Sequence, residues 1–213
     1  SFGYSNDTIE VNRNYLNLLP SVNFTYGLTE KSNIRASAFQ SVSRPEFREI
    51  APFSFYDFTE QIFTIGNPDL KRNLIRNYDL RFELFPQAGE IVSLSLFYKK
   101  FDSPIEDVFV PNSGGDNRIK TYQNATGGAN NYGVELEARK NLGFIAKQLK
   151  FFSVNANLSI INSKVDLSGI GSTVTNLERR LQGQSPYTIN MGLYYDNSDI
   201  GTSVNLSYNR FGK

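Results

Sequence analysis

The sequence predicts an all-β protein, a segment of an antiparallel up-and-down transmembrane β-barrel, on three observations. Apolar and polar residues alternate with period two in one segment after another. The connections between those segments are short and long in strict alternation. No apolar run approaches the roughly 18–20 residues of a spanning helix, although 39% of the 213 residues are hydrophobic and 14% aromatic. A barrel wall accounts for all three, because its lipid and lumen faces alternate and average to a polar composition. The mean hydropathy is −0.37.

The first alternating segment is 15–28. Leu16, Leu18, Val22, Phe24, Tyr26 and Leu28 share one face, and Asn17, Ser21, Asn23, Thr25 and Gly27 the other. A less regular segment, 33–43, follows. In 74–85, Leu74, Tyr78, Leu80, Phe82 and Leu84 alternate with Asn77, Asp79, Arg81 and Glu83, and 90–102 is again less regular. Tyr132, Val134, Leu136 and Ala138 alternate with Gly133, Glu135, Glu137 and Arg139 in 132–140. Segment 152–160 sets Phe152, Val154, Ala156, Leu158 and Ile160 against Ser153, Asn155, Asn157 and Ser159. The last two place Ile189, Met191 and Leu193, then Val204, Leu206 and Tyr208, on single faces. These make about eight strands, each near the 9–11 residues a tilted membrane strand requires.

Short polar connections are expected at Thr29–Asn33, Pro86–Glu90 and Asp196–Gly201, with Gly143–Gln148 a fourth. Long ones are expected at Arg44–Asn73, Ser103–Gly128 and Lys164–Pro186. In a meander this gathers every short turn at one rim and every long loop at the other, the asymmetry of outer-membrane barrels. Greek-key sandwiches have no reason to segregate loops in this way. A propeller needs a self-similar repeat of roughly 40–45 residues, and none is found. Tyr26, Phe85, Phe144, Tyr194 and Tyr195 stand beside the short turns, as an interfacial girdle requires, though aromatic residues favour strands in any case. The absence of Trp runs mildly against a barrel. The charged face of Asp79, Arg81, Glu83, Glu135, Glu137 and Arg139 is expected to face the lumen, since a charge toward lipid costs about 2–4 kcal/mol at the midplane.

Net charge is +1, with no Cys and no His. The first gives no electrostatic footprint for nucleic acid. The second removes disulfides, thiolate nucleophiles and zinc-finger ligands, and the third removes the commonest general base and the triads built on it. No catalytic residue, metal ligand or cofactor is assigned. The chain opens at Ser1 without a basic or apolar leader, so a leader is expected to have been removed or to lie outside this stretch.

Several weaker signals remain. Asn6, Asn23, Asn124, Asn157 and Asn205 open Asn-x-Ser/Thr triplets. Three of them, Asn23, Asn157 and Asn205, fall on polar strand faces where a glycan has no room, so coincidence is the better reading. The stretch 113–117, SGGDN, lacks a helix behind it and reads as a plain turn. Arg179 and Arg180 suit an anionic ligand or merely the barrel rim. Segment 44–73 carries Phe47, Phe53, Phe55, Tyr56, Phe58 and Phe63. That is either a binding surface or a loop folded over a small apolar core.

Three stretches, SRPEFREIAPF (43–53), GNPDLKRNLIRNYDLRFEL (66–84) and SLFYKKFDSPIEDVF (95–109), resemble consecutive barrel segments of TonB-dependent receptors. YQNATGGANNYGVELEARKNL (122–142), RRLQGQSPYTINMGLYYDN (179–197) and LSYNRFGK (206–213) continue the resemblance in the same order. It runs from Leu16 to Lys213 and is closest in style to receptors of the Bacteroidetes type. The resemblance implies a barrel of about 22 strands enclosing a plug, of which this chain is a partial barrel domain, 1–213. The plug, the TonB-contacting segment and the closing strands are expected to lie outside it. It further implies the bacterial outer membrane, with membrane lipid, TonB and a small extracellular ligand as partners. Uptake of a scarce ligand (siderophore, haem, cobalamin, oligosaccharide or peptide) is the function expected. A passive pore or structural barrel of the same membrane and a soluble β-rich binding module are the alternatives, separated by a plug encoded upstream and by solubility without detergent. Ligand contacts are expected at Arg44, Phe53, Phe55, Tyr56 and Phe58, with Arg179 and Arg180.

Overall fold

The structure, a computed structural model, describes residues 16–110, 119–170 and 176–212. The Asn6 triplet and the 113–117 turn lie outside the described residues. In chain order come β1 (Ser21–Thr29), β2 (Ser32–Ser43), a one-turn helix α1 (Phe47–Ile50), β3 (Ser54–Asp57) and β4 (Ile62–Ile65). Next are β5 (Asn73–Leu84), β6 (Ile91–Phe101), β7 (Ile105–Val110), β8 (Ile119–Asn124) and β9 (Ala129–Asn141). The last are β10 (Phe152–Asp166), β11 (Glu178–Arg179), β12 (Tyr187–Asn197) and β13 (Thr202–Phe211).

The main sheet runs β1-β2-β5-β6-β9-β10-β12-β13, every step antiparallel, with β11 added to the end of β10. These eight long strands are the ones the alternation predicts, and β1 and β13 form the two edges of the sheet. The register lines the apolar residues up in rows. Leu80, Leu96, Val134 and Ile160 are cross-strand neighbours, and Phe82, Leu94, Leu136 and Leu158 form the next row. In the first row these side chains are 48%, 45%, 38% and 58% exposed. A continuous apolar surface of that kind needs a covering, and hydrocarbon supplies it on a barrel.

All four short connections lie at one rim and touch in sequence. The Phe85 N–H donates to the Lys31 carbonyl at 2.7 Å, Lys140 Nζ meets Glu90 Oε2 at 2.6 Å, and the Asp196 N–H donates to the Phe151 carbonyl at 2.9 Å. The 142–151 turn holds two 3-10 turns, Leu142–Phe144 and Lys147–Leu149. All three long connections lie at the opposite rim, as the meander requires.

Two local expectations are corrected. The first strand does not extend back to Leu16 and Leu18: it begins at Ser21, after Pro20, whose nitrogen has no proton for a ladder. Tyr194 does not join an outward girdle, because it alternates with Tyr195 and shares the inward face with Asn190 and Gly192. Its ring covers Gly192, where an added Cβ would sit 2.8 Å from the Tyr194 ring.

The long connections are not simple loops. Within them β3, β4, β8 and β7 form a second sheet, in that order, with β4 and β8 parallel and the other pairs antiparallel. A buried apolar core of Val108, Ala125, Ala129, Val165, Leu167 and Ile170, flanked by Phe101 and Leu181, fills the junction between this roof and the ends of β6, β9 and β10.

Candidate ligand-binding roof and lumen wall

The lumen wall is built by the polar half of the alternation. Arg81 reaches across three strands: Nε donates to Glu83 Oε1 at 3.0 Å, Nη1 to Ser95 Oγ at 3.1 Å and Nη2 to Glu137 Oε2 at 2.7 Å. Glu83, 7% exposed, takes a second cation from β2, Arg35 Nε at 2.7 Å. Ser37 Oγ donates to Asp79 Oδ2 at 3.2 Å. Fixed charges of both signs thus neutralise one another along the wall, as expected of a lumen rather than a lipid face. Toward the short-turn rim a concavity of about 540 Å³ is lined in part by Arg139, Asn155, Tyr194 and Asp196.

The roof is fastened by side chains from all three long connections. Lys120 Nζ lies 2.9 Å from Glu60 Oε2 and 3.4 Å from Asp107 Oδ2, joining the first connection to the second. Burial works against the Lys120 charge, but these carboxylates outweigh it and raise its pKa. Arg179, from the third connection, donates Nη2 to Glu106 Oε2 at 2.6 Å and to the Asp107 carbonyl at 3.2 Å. Glu106 is 2% exposed. Burial pushes its carboxyl above the ordinary 4.5 even though Arg179 pulls the other way. Burial also raises Glu49, helped by Glu46 and Asp107.

Two motif stretches make the remaining fastenings. Asn67 accepts from the Asp69 N–H, donates to the Tyr122 carbonyl at 2.9 Å, and its own N–H binds the Glu49 carbonyl. Asn124 bonds both backbone groups of Lys71 and the Ser103 carbonyl. Gly66 sits where an added Cβ would lie 2.2 Å from the Ala51 carbonyl. Gly128, at φ +77°, would carry a Cβ 2.7 Å from the Phe101 carbonyl. Both need glycine.

The candidate residues divide among three places. Tyr56 packs edge-on against Phe58 (5.1 Å between centroids) and against its cross-strand partner Phe63 (5.0 Å). Phe58, 85% exposed, and Phe53, 53% exposed, present rings to solvent. Phe55 points to the other face of β3, with the Arg48 guanidinium 5.9 Å above its ring. Arg44 is exposed and lines a separate cleft of about 290 Å³ with Glu46, Glu49, Glu106 and Gln182. Arg179 is committed to Glu106, and Arg180 is exposed beside it. The structure therefore brings Tyr56, Phe58 and Phe63 together and leaves Arg44 apart from them. Sequence reasoning gave none of Lys120, Glu106, Asn67 and Asn124 a fastening role, although the last three stand in the stretches that carried the resemblance.

A family model described as TonB dependent receptor-like, beta-barrel, matches residues 1–213. Among solved structures the chain is similar to the siderophore receptor PirA from Pseudomonas aeruginosa, at TM-score 0.65 and 18% identity over 92% of this chain and 34% of that one. It is also similar to the ferric enterobactin receptor PfeA of the same organism in complex with BCV-L6, at TM-score 0.62 and 20% identity over 92% and 28%. A third likeness is to the alcaligin outer membrane receptor FauA from Bordetella pertussis, at TM-score 0.52 and 15% identity over 92% and 29%. The chain spans about a third of the length of PirA. No curated protein matches it.

Proposed function

Because this chain belongs to the TonB-dependent receptor β-barrel family, we propose that it forms wall and roof of an outer-membrane transporter that imports a scarce ligand. In this reading 1–213 is a partial barrel domain. The plug, the TonB-contacting segment and the strands that pair with β1 and β13 belong to the rest of the protein, and lipid surrounds the apolar rows. The family is one of receptors and transporters, and no catalytic chemistry is proposed. The observation that carries the reading is the division of the molecule: folded, aromatic-bearing long connections at one rim, above a lumen wall of neutralised charges.

Ligand is proposed to meet the rings of Tyr56, Phe58 and Phe53 first. Rings offer flat apolar faces at small entropic cost, which suits a siderophore with aromatic iron-binding groups. The receptors named among the structural relatives make siderophores the first ligands to try. Arg44 and Arg180 would add cationic contacts to carboxylate or catecholate oxygens, and Phe55 would back the ring cluster. Arg179 acts mainly by holding the roof.

The experiment uses cells producing the full-length protein. Uptake of radio-iron-labelled ferric enterobactin, ferric alcaligin and haem, and of labelled cobalamin, is measured with and without TonB. One of them should accumulate only with TonB, and the Tyr56→Ala/Phe58→Ala protein should bind it about tenfold or more weakly, with barrel insertion unchanged. Uptake that persists without TonB would return the chain to a passive pore. Unaltered affinity in the double variant would remove the ligand role from those rings.

A further inference from the structure

The inward charges of the wall are unevenly placed. They stand on β2, β5, β6 and β9, from Arg35 to Arg139. Over 153–159, 188–194 and 203–209 the inward face of β10, β12 and β13 holds no charge, only amides, hydroxyls and Gly192. Asn157, Asn190 and Asn209 form one row across it, and Asn155, Gly192 and Ser207 the next toward the short-turn rim. Charge returns on β12 at that rim, with Asp196. Two concavities follow this neutral wall, of about 540 and 330 Å³, the second lined in part by Asn155, Asn157, Asn190 and Asn209. β1 is also uncharged inward, but Thr25 stands opposite Arg35, and the concavity beside it is lined in part by Arg35, Asp79 and Arg81.

The two sides of the wall differ in how far their polar groups are committed. On the charged side Arg81 spends its donors on Glu83, Ser95 and Glu137, and Arg35 closes on Glu83. On the neutral side the Asn209 carboxamide donates to that of Asn190, while Asn155 and Asn157 make no side-chain hydrogen bond among the described residues. A carboxamide carries two donors and an acceptor oxygen, so each free one serves a solute donor or acceptor equally. Passage through a lumen needs sites that bind well enough to admit a solute, weakly enough to release it, and in series. A fixed charge holds solutes of opposite sign and repels those of like sign. A ladder of amides and hydroxyls does neither.

We propose that the transported solute crosses the barrel along the neutral wall of β10, β12 and β13, and not along the charged side. Asn157, Asn190 and Asn209 meet it first on its way from the roof, and Asn155 and Ser207 next. The solute class that this wall serves is one rich in hydrogen-bonding oxygens, because every rung offers it a donor. Gly192 leaves the middle of the ladder without a side chain, and the Tyr194 ring lying over it gives the solute one flat apolar face.

This inference rests on the transporter reading above. Uptake that persists without TonB defeats that reading, whereas TonB-driven uptake that ignores the neutral wall overturns only the present proposal. The test uses cells producing the full-length protein, with any cysteine outside this chain replaced by serine. The probe is whichever of ferric enterobactin, ferric alcaligin, haem and cobalamin TonB drives into them. Asn157→Cys and Ser207→Cys proteins should react with a maleimide too bulky for passive pores about tenfold faster during TonB-driven uptake than without TonB. Ser95→Cys, on the charged side, should react at one rate in both conditions. Asn157→Trp/Ser207→Trp, which narrows the path, should slow uptake about tenfold while binding the probe at the cell surface with native affinity, and that affinity certifies its fold. Asn157→Gln keeps the amide and should take up the probe at the native rate. Equal acceleration of labelling at Ser95→Cys and Asn157→Cys, or native uptake by the double variant, overturns the proposal.

Discussion

Glu106 shows how one buried side chain sets the behaviour of its surroundings. Its carboxyl is nearly inaccessible, and its pKa is raised above 4.5 by burial despite the Arg179 guanidinium. A raised carboxyl pKa means that the folded roof holds the proton more tightly than the open chain does. The stabilisation linked to that proton is present at low pH and is lost as pH rises from 4.5 through the raised value. Hydrogen exchange of β7 and β11 amides, corrected for intrinsic rates, should show easier opening over that window. Glu106→Gln should flatten the profile. A native profile already flat, or one with the same slope in the variant, would show that Glu106 is not the titrating group. The glycines act through space instead. Gly66 was legible only as part of a motif, because its need comes from backbone of α1 that approaches it from another stretch of chain.

The roof sheet is the element the sequence concealed. Its strands are four to six residues long, too short for a period-two signal to rise above the background. The parallel β4–β8 pair joins residues 56 apart, as in the bond from Thr121 Oγ to the Ile65 carbonyl. Such pairing leaves no local trace. What the sequence did display was the fastening motif without its purpose. Asn124 ties the second long connection to Lys71 in the first and also closes it onto Ser103 at its own start. Asn124→Ala should therefore strip three bonds at once and cost on the order of 1–3 kcal/mol, all of it in the roof. Limited proteolysis of intact cells should cut both long connections faster, while heat resistance of the barrel on gels stays unchanged. Loss of barrel heat resistance instead would mean that roof and wall do not open separately.

At the scale of the molecule, the segregation of connections fixes an orientation that can be read chemically. The chain contains no Cys, so introduced thiols in it report without competition. A Phe58→Cys protein should react with a membrane-impermeant maleimide on intact cells. An Asp199→Cys protein, at the tight turn between β12 and β13, should react only after the outer membrane is opened. The reverse pattern would turn the barrel over and place the aromatic roof in the periplasm, where an incoming solute does not arrive first.

Alternation and composition are local properties, so the sequence by itself determined eight wall strands, their inward and outward faces, and the sorting of short and long connections to opposite rims. It also marked Phe53, Phe55, Tyr56 and Phe58 as ring-bearing, without showing that β3 sends Phe55 and Tyr56 to opposite sides. Only the tertiary structure decided which side chains meet. Arg81 found Glu137 across β6, Arg179 found Glu106 in another connection, and Arg76 came to lie opposite Lys100. Each of these depends on register, and register accumulates from the length of every turn before it. A shift of one residue in a single strand would turn all of that strand's side chains to the other face. The faces can be read strand by strand, whereas the contacts exist only once all the strands are aligned.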